Sequence, residues 1–225
     1  MESAARTSWK MVWGRNVKPS AVLIFGIPGA GKSTQAQRLA RNGSFTHIET
    51  SELIWMALHN RTKTEITLSD GARIDLDEQE RRMRAGELPD SAWVFSLMRE
   101  AVVEAATLKR SVVFSGPPPC VAEAKYLIPV LESCYGAHVI CVLLEIPREE
   151  AERRVYARGR TLDEHFLRRM QIFEEETKPV LEWLQKQGFL VYHLDGTKDE
   201  EKIAAMIEKI VSTKTSTEST DWRER

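Results

Sequence analysis

Five short, largely apolar runs recur along the chain: Ala21–Phe25, Thr46–Glu49, Val112–Ser115, Val139–Ile146 and Leu190–Leu194. They are too short for buried helices, and each reads as a strand covered on both faces. Longer stretches with helical spacing separate them. Strand–helix alternation of this kind predicts an α/β fold, a five-stranded parallel sheet covered by helices on both faces. One segment breaks the rhythm. Residues Thr64–Leu76 alternate apolar and polar positions on either side of Ser69-Asp-Gly71, which predicts a β-hairpin. An irregular loop is the alternative. The segment falls inside a mainly helical insertion over residues 51–108.

The turn after the first run carries chemistry. Gly26-Ile-Pro-Gly-Ala-Gly-Lys-Ser33 has a Gly, four residues, then Gly-Lys-Ser, the spacing of a phosphate-binding loop between strand and helix. Glycines let the backbone curl until several N–H groups point into one anion-sized hollow. The following helix adds its positive end. Gly26, Pro28, Gly29, Ala30, Gly31, Lys32, Ser33 and Thr34 form the candidate triphosphate site. Lys32 reaches the β- and γ-phosphates, and the Ser33 hydroxyl holds Mg²⁺. A chance Gly-rich turn is the alternative, and the flanking strand and helix argue against it. A nucleoside triphosphate with Mg²⁺ is therefore the expected ligand.

Composition narrows the rest. The 225 residues suit one α/β domain with a smaller insert, 42% of them are hydrophobic, and the net charge is −1. That balance argues against nucleic-acid binding by general electrostatics. No apolar run reaches the ~20 residues of a membrane span. The three cysteines, Cys120, Cys134 and Cys141, form no C-x-x-C pair, so neither a zinc site nor a disulfide framework is indicated. A reducing cytoplasm is the expected location, small-molecule nucleotides the expected partners, and a monomer the expected state. Residues 1–20 read as an N-terminal arm with four basic residues in its first eighteen (Arg6, Lys10, Arg15, Lys18). It lacks the apolar stretch of a secretory signal; a solvated arm and an organellar transit peptide are the two readings. The catalytic domain spans 21–211. The Ser/Thr-rich stretch 212–225 is expected to be disordered.

Between Arg153 and Arg169 lie six arginines and no lysine. Planar guanidiniums match the equatorial oxygens of a transferring phosphoryl group. Arg154 and Arg158 share a helix face, Arg160 follows Gly159, and Arg169 lies on the next helix. A charged face paired with Glu149, Glu150 and Glu152 is the alternative.

Taken in order, these motifs resemble the adenylate kinase family of nucleoside monophosphate kinases over roughly Val22 to Val211. The phosphate loop resembles that family's version, with Pro28 before the second Gly. His47-Ile-Glu-Thr-Ser-Glu-Leu53 resembles the opening of its monophosphate-binding region and Arg84-Ala-Gly-Glu-Leu-Pro-Asp90 its end. Phe114-Ser-Gly-Pro-Pro-Pro-Cys-Val-Ala-Glu-Ala124 is similar to a Leu-Asp-Gly-Phe-Pro-Arg-Thr stretch of the family. Arg154, Arg158, Arg160 and Arg169 resemble the arginines around its lid, and Glu176-Thr-Lys-Pro179 and Lys186-Gln-Gly188 continue the match.

The resemblance implies a five-stranded parallel core, a mobile monophosphate-binding insert and a lid over 154–169. Here the lid is very short, because Gly159 alone separates Arg158 from Arg160. It implies catalytic roles for Lys32, Arg158, Arg160 and Arg169, and a place for Arg154 near the donor base. It implies acceptor contacts from Thr50, Ser51, Trp55, Glu87, Leu88, Gly116 and Glu123, with Ser115 on the Mg²⁺ shell through water.

Four positions depart from the family pattern. Trp55 and Pro119 stand where the family has arginines gripping the monophosphate, Glu123 where it has a base-reading Gln, and Ser115 where it has an Asp. Arg61, Lys63, Arg81, Arg82, Arg84 and Arg99 are the candidate replacement cations, and the sequence does not choose among them. Glu123 reads either as a base-edge acceptor or as a solvated helix residue, and Trp55 as a stacking platform or as packing. The expected activity is transfer of the ATP γ-phosphate to a nucleoside monophosphate, AMP first. The alternatives are a kinase for a different small acceptor and a nucleotide-binding regulatory protein.

Overall fold

The computed structural model describes residues 18–41, 43, 45–85, 87, 89–157, 159 and 164–216. Five strands, β1 (Ala21–Phe25), β2 (Phe45–Ile48), β5 (Ser111–Phe114), β6 (Val139–Glu145) and β7 (Val191–Asp195), form one sheet in the order β2-β5-β1-β6-β7. Every pairing is parallel. β1 lies at the centre and is buried along its whole length. An unbroken apolar run is what a strand covered on both faces requires.

Two groups of helices cover the sheet. Helix α1 (Lys32–Arg41) packs with α9 (Glu200–Ser216). Helices α4 (Ser91–Thr107), α5 (Val121–Tyr135) and α8 (Lys178–Lys186) pack in sequence on the other side. Helix α6 (Arg148–Ala157) follows β6. Helix α7 (Glu164–Ile172) runs through a π-helical stretch, Phe173–Thr177, into α8. π segments are rare and concentrate at functional sites, and this one faces the mouth of the phosphate loop.

The insertion has its own small core. Helix α2 (Thr50–His59), strands β3 (Glu65–Thr67) and β4 (Arg73–Asp75), and helix α3 (Leu76–Arg84) enclose Ile54, Leu58, Ile74, Leu76 and the fully buried Trp93 of α4. β3 and β4 pair antiparallel, so Thr64–Leu76 is a hairpin and not an irregular loop. Asp75 ends it and caps α3, accepting from the backbone N–H groups of Asp77 and Glu78. A short polar side chain at that position satisfies two otherwise orphaned donors.

Two boundaries differ from the sequence expectation. Ser20, assigned to the N-terminal arm, is fully buried and joins the sheet; its N–H donates to the Ser111 hydroxyl at 3.0 Å. The tail assigned as disordered from Ser212 continues α9 to Ser216. Hydroxyls of Ser212, Thr213 and Thr215 donate to carbonyls one turn earlier, which satisfies them inside a helix. Thr215 also extends the buried stripe Ile203, Ile207, Val211. Residues 1–17 and 217–225 lie outside the described residues. No described helix is long and apolar enough to cross a membrane.

Candidate active site

The phosphate loop is shaped by what its glycines exclude. Gly26 has φ +146°, and a Cβ there would lie 2.7 Å from the Leu144 carbonyl oxygen. Gly29 has φ +87°, and a Cβ there would meet the Ala151 carbonyl oxygen at 2.9 Å. These two positions therefore seat the loop against β6 and α6. Gly31 differs: it has positive φ, but a Cβ would find open space. Its freedom serves the curl of the loop and leaves the hollow unfilled. Ala30 is buried and its N–H donates to the Ile27 carbonyl at 3.1 Å.

Lys32 folds back over the loop. Its Nζ donates to the carbonyls of Gly26 at 2.7 Å and Ile27 at 3.1 Å. Burial, and secondly the guanidinium of Arg169, bring its pKa down to about 8. Arg169, on α7, thus reaches the same cavity, of about 170 Å³, that holds Lys32. Among the described residues Arg169 makes no ion pair. Pro28 lines this cavity from the donor side, Gly116 and Pro119 from the acceptor side, and Phe173 and Thr177 from the π segment. Thr177 Oγ1 donates to the Pro119 carbonyl at 3.2 Å, tying the π segment to the start of α5. A Cβ on Gly116 would meet nothing within 4 Å, so the acceptor wall is also open there.

Ser33 is exposed at the first turn of α1, beside Thr34. Ser115 is buried at the end of β5, and its hydroxyl shares a 2.8 Å hydrogen bond with His47 Nε2. Among the described residues no group of three or more His, Cys, Asp or Glu is placed to hold a metal. These donors fit Mg²⁺ that arrives already bound to phosphates, since neutral hydroxyls and waters complete such a shell without adding charge.

The arginines separate into two kinds. Arg154 Nε donates to Glu150 at 2.6 Å, and Arg153 also holds that carboxylate. Together they bring Glu150 down to about 2. On α6 Arg153 and Arg154 thus pair with Glu150 in the way a charged helix face would, and among the described arginines of this stretch Arg169 is the one that lines the cavity at the phosphate loop. Arg158 and Arg160 lie outside the described residues. Gly159, at φ +68°, turns the chain out of α6.

In the acceptor half, Thr50 opens α2 and its hydroxyl lies 3.8 Å from Met98 Sδ. Ser51 is exposed near Glu49. Trp55 packs on the insert core, its ring 5.5 Å from that of His59. Glu87 pairs with Arg82 at 3.6 Å; Leu88 lies outside the described residues. Glu123 is half-buried, and burial, then the Glu176 carboxylate, push its pKa up. Among the candidate replacement cations, Arg61 is held by Asp77 and Glu80, Arg81 by Glu78, Arg82 by Glu87 and Arg84 by Glu80. Lys63 and Arg99 make no ion pair among the described residues.

His47 and Thr177 are site residues that motif spacing missed. His47 had one usable signal, since it lies near the C-terminal end of a parallel strand, where open α/β sheets bind ligands. Thr177 had none, because its place follows from the path of α7.

Residues 25–167 match the family described as an AAA domain. The chain is 31% identical over 189 residues to the adenylate kinase of Synechococcus sp. (strain WH7803), covering 83% of this chain and 96% of that one. It is 30% identical over 193 residues to an adenylate kinase of Thermus thermophilus, covering 83% and 94%. To adenylate kinase 1 of Synechocystis sp. it is 30% identical over 192 residues, covering 84% and 96%. The family match covers the phosphate loop and the insertion, the relatives are matched over more than four-fifths of the chain, and with that loop at the C-terminal end of the central strand of a five-stranded parallel sheet the chain belongs to the adenylate kinase family.

Proposed function

We propose that this protein transfers the γ-phosphoryl group of ATP, as its Mg²⁺ complex, to a nucleoside monophosphate, with AMP as acceptor. The observation that carries the reading is the shared cavity: Lys32 and Arg169 meet there across from Gly116 and Pro119. One volume thus joins the donor loop to the acceptor wall, as in-line transfer between two bound nucleotides requires. Loop N–H groups from Gly29 to Gly31 hold the donor phosphates. Lys32 leaves the Gly26 and Ile27 carbonyls for the β- and γ-oxygens, and Arg169 faces the charge that builds on the transferring group. Mg²⁺ would supply neutralisation of the phosphate oxygens, and Ser33, with Ser115 through water, would hold it. Arg154, Arg158 and Arg160 would complete the lid side. The reading takes the protein as a monomer acting in the cytoplasm, with both halves of the site on one chain.

A second reading, a kinase for a different small acceptor, is favoured by the acceptor half itself. Trp55 and Pro119 bring no charge there, and Arg61, Arg81, Arg82 and Arg84 are engaged by carboxylates. An ADP-release assay across AMP, GMP, CMP and UMP separates the readings. Turnover with AMP above the others supports the first. Turnover with none of the four removes it.

The depressed Lys32 pKa makes donor binding proton-linked. Free Lys32, at about 8, is largely neutral at pH 8.5. Bound phosphates favour the ammonium and raise its pKa. Binding of an ATP analogue at pH 8.5 is therefore expected to take up protons, and at pH 6.5 to take up none through this residue. Calorimetry in buffers of different ionisation enthalpy measures this. Uptake at pH 8.5 that persists in Lys32→Met would assign it to another group.

Glu123→Gln bears on the acceptor base. A carboxylate only accepts hydrogen bonds, whereas an amide also donates. AMP use should improve in the variant and any GMP use should fall, by about 1–3 kcal/mol in kcat/KM terms. Identical kcat/KM values for all four monophosphates in parent and variant would place Glu123 off the acceptor.

A further inference from the structure

From Glu164 to Lys186 the chain follows one continuous helical path, and its middle departs from α geometry. Lys178 N–H donates to the Phe173 carbonyl, five residues back, which is the bond of a π turn. Pro179 follows at once. It has no N–H for the Glu175 carbonyl, and in a regular α turn its ring would crowd that carbonyl. A wider turn relieves the crowding, so the sequence itself favours a bulge ahead of Pro179.

The wide turn adjoins the site. Arg169, Ile172, Phe173 and Thr177 all line the cavity that holds Lys32. Phe173 and Thr177 are buried, while the three glutamates between them are exposed. The Thr177 hydroxyl donates to the carbonyl of Pro119, which lines the same cavity from the acceptor side. Thr177 is 8% exposed, so little water competes for that bond. A hydroxyl in a helix ordinarily turns back on its own helix, as those of Ser212, Thr213 and Thr215 do in α9. The Thr177 hydroxyl instead crosses 58 positions of sequence and joins two walls of the site.

A repulsion opposes this bond. Burial, and secondly the Glu176 carboxylate beside Thr177, push the pKa of Glu123 on α5 up. The π segment and α5 are thus drawn together at Thr177 and Pro119 and pushed apart at Glu176 and Glu123. The balance bears on Arg169, about two turns earlier on the same path. Its guanidinium is, after burial, the second cause that lowers the Lys32 pKa. Among the described residues no ion pair fixes it, and its position over the loop follows the course of the helix.

We propose that Thr177 is a positioning residue for phosphoryl transfer: its hydroxyl, bonded to the Pro119 carbonyl, ties the π segment to the acceptor wall and so keeps Arg169 over the transferring group. The inference rests on the phosphotransferase reading and not on the identity of the acceptor. A shift of about 1 Å in such a group costs a reaction about 10²-fold.

The test compares Thr177→Val, which keeps the shape and loses the hydroxyl, with Thr177→Ser, which keeps the hydroxyl. Thr177→Ala carries the same comparison should Thr177→Val not fold. In Thr177→Val kcat should fall about tenfold or more, while dissociation of a non-hydrolysable ATP analogue stays within about twofold. Thr177→Ser should keep kcat within about twofold of the parent. In an Arg169→Ala background Thr177→Val should lower kcat little further, because the group it positions is gone. An equal loss in both backgrounds overturns the proposal. So does a Thr177→Val enzyme with parent kcat, or a Thr177→Ser enzyme as slow as Thr177→Val. Hydrogen exchange of the free chain gives a reading without turnover. Amides of α7 should exchange about tenfold faster in Thr177→Val than in the parent or Thr177→Ser, with those of α1 unchanged. A parent that transfers phosphate to none of AMP, GMP, CMP and UMP removes the phosphotransferase reading alone. Faster α7 exchange in Thr177→Val then still supports the tie, and equal exchange overturns it.

Discussion

Lys32→Ala is expected to lower the rate of phosphoryl transfer by about 10²-fold or more while the protein folds normally. The two halves of that expectation have separate causes. Catalytic loss follows because this ammonium sits within the phosphate loop, partly desolvated and therefore strongly felt by a bound phosphate. Folding is spared because burial works against the charged side chain in the ligand-free protein. Its pKa falls from 10.5 to about 8, so below pH 8 the folded state binds that proton less favourably than the unfolded chain does. Removing the group removes that penalty, although the bonds to Gly26 and Ile27 go with it. Stopped-flow turnover and thermal unfolding of parent and variant test both halves. A folded variant with near-normal turnover would overturn the donor-site assignment.

Arg169→Ala carries the second large effect. A guanidinium aimed at the transferring group acts in the transition state more than in the ground state, and such groups contribute about 10³-fold or more in kcat. Dissociation of the ATP analogue should change little by comparison. The same variant should let the Lys32 pKa rise, because Arg169 is one of its two depressing causes. The proton uptake on analogue binding should then move to higher pH. Arg169→Lys should not restore the rate, since an ammonium lacks the planar two-point contact. A loss confined to analogue affinity, with kcat unchanged, would place Arg169 in ground-state binding.

The acceptor half was harder to read than the donor half, and particular residues show why. The donor loop is one contiguous stretch whose glycines, Lys and Ser have fixed local roles, so Gly26–Ser33 announced itself. The proposed acceptor half draws on separate stretches: Thr50, Ser51 and Trp55 on α2, Glu87 after α3, Gly116 after β5 and Glu123 on α5. His47 and Ser115 are 68 positions apart, and nothing in the spacing of either marks the bond between them. Six basic residues were equal candidates for the missing phosphate contacts. The structure separates them because Glu78, Glu80, Glu87 and Asp77 happen to lie within reach of four. Arg154 and Arg169 looked alike in an arginine-rich stretch. One is held by Glu150 on its own helix; the other projects toward Lys32.

The sequence by itself determined the elements and the donor chemistry. Five short apolar runs specified buried parallel strands, alternation around Ser69-Asp-Gly71 specified the hairpin, and the Gly26–Ser33 spacing marked the candidate triphosphate site. Each is a local pattern, set by side-chain period, by turn residues or by backbone freedom at glycine. Tertiary structure alone decided the strand order, the junction of Thr177 with Pro119, and which cations remain available to a ligand. It also decided that α9 runs to Ser216, where hydroxyls that would suit a disordered tail bond back to the helix and Thr215 finds the core. These outcomes depend on which distant side chains meet after the chain has collapsed. Ion pairs and burial are properties of that meeting, not of the residues taken one at a time.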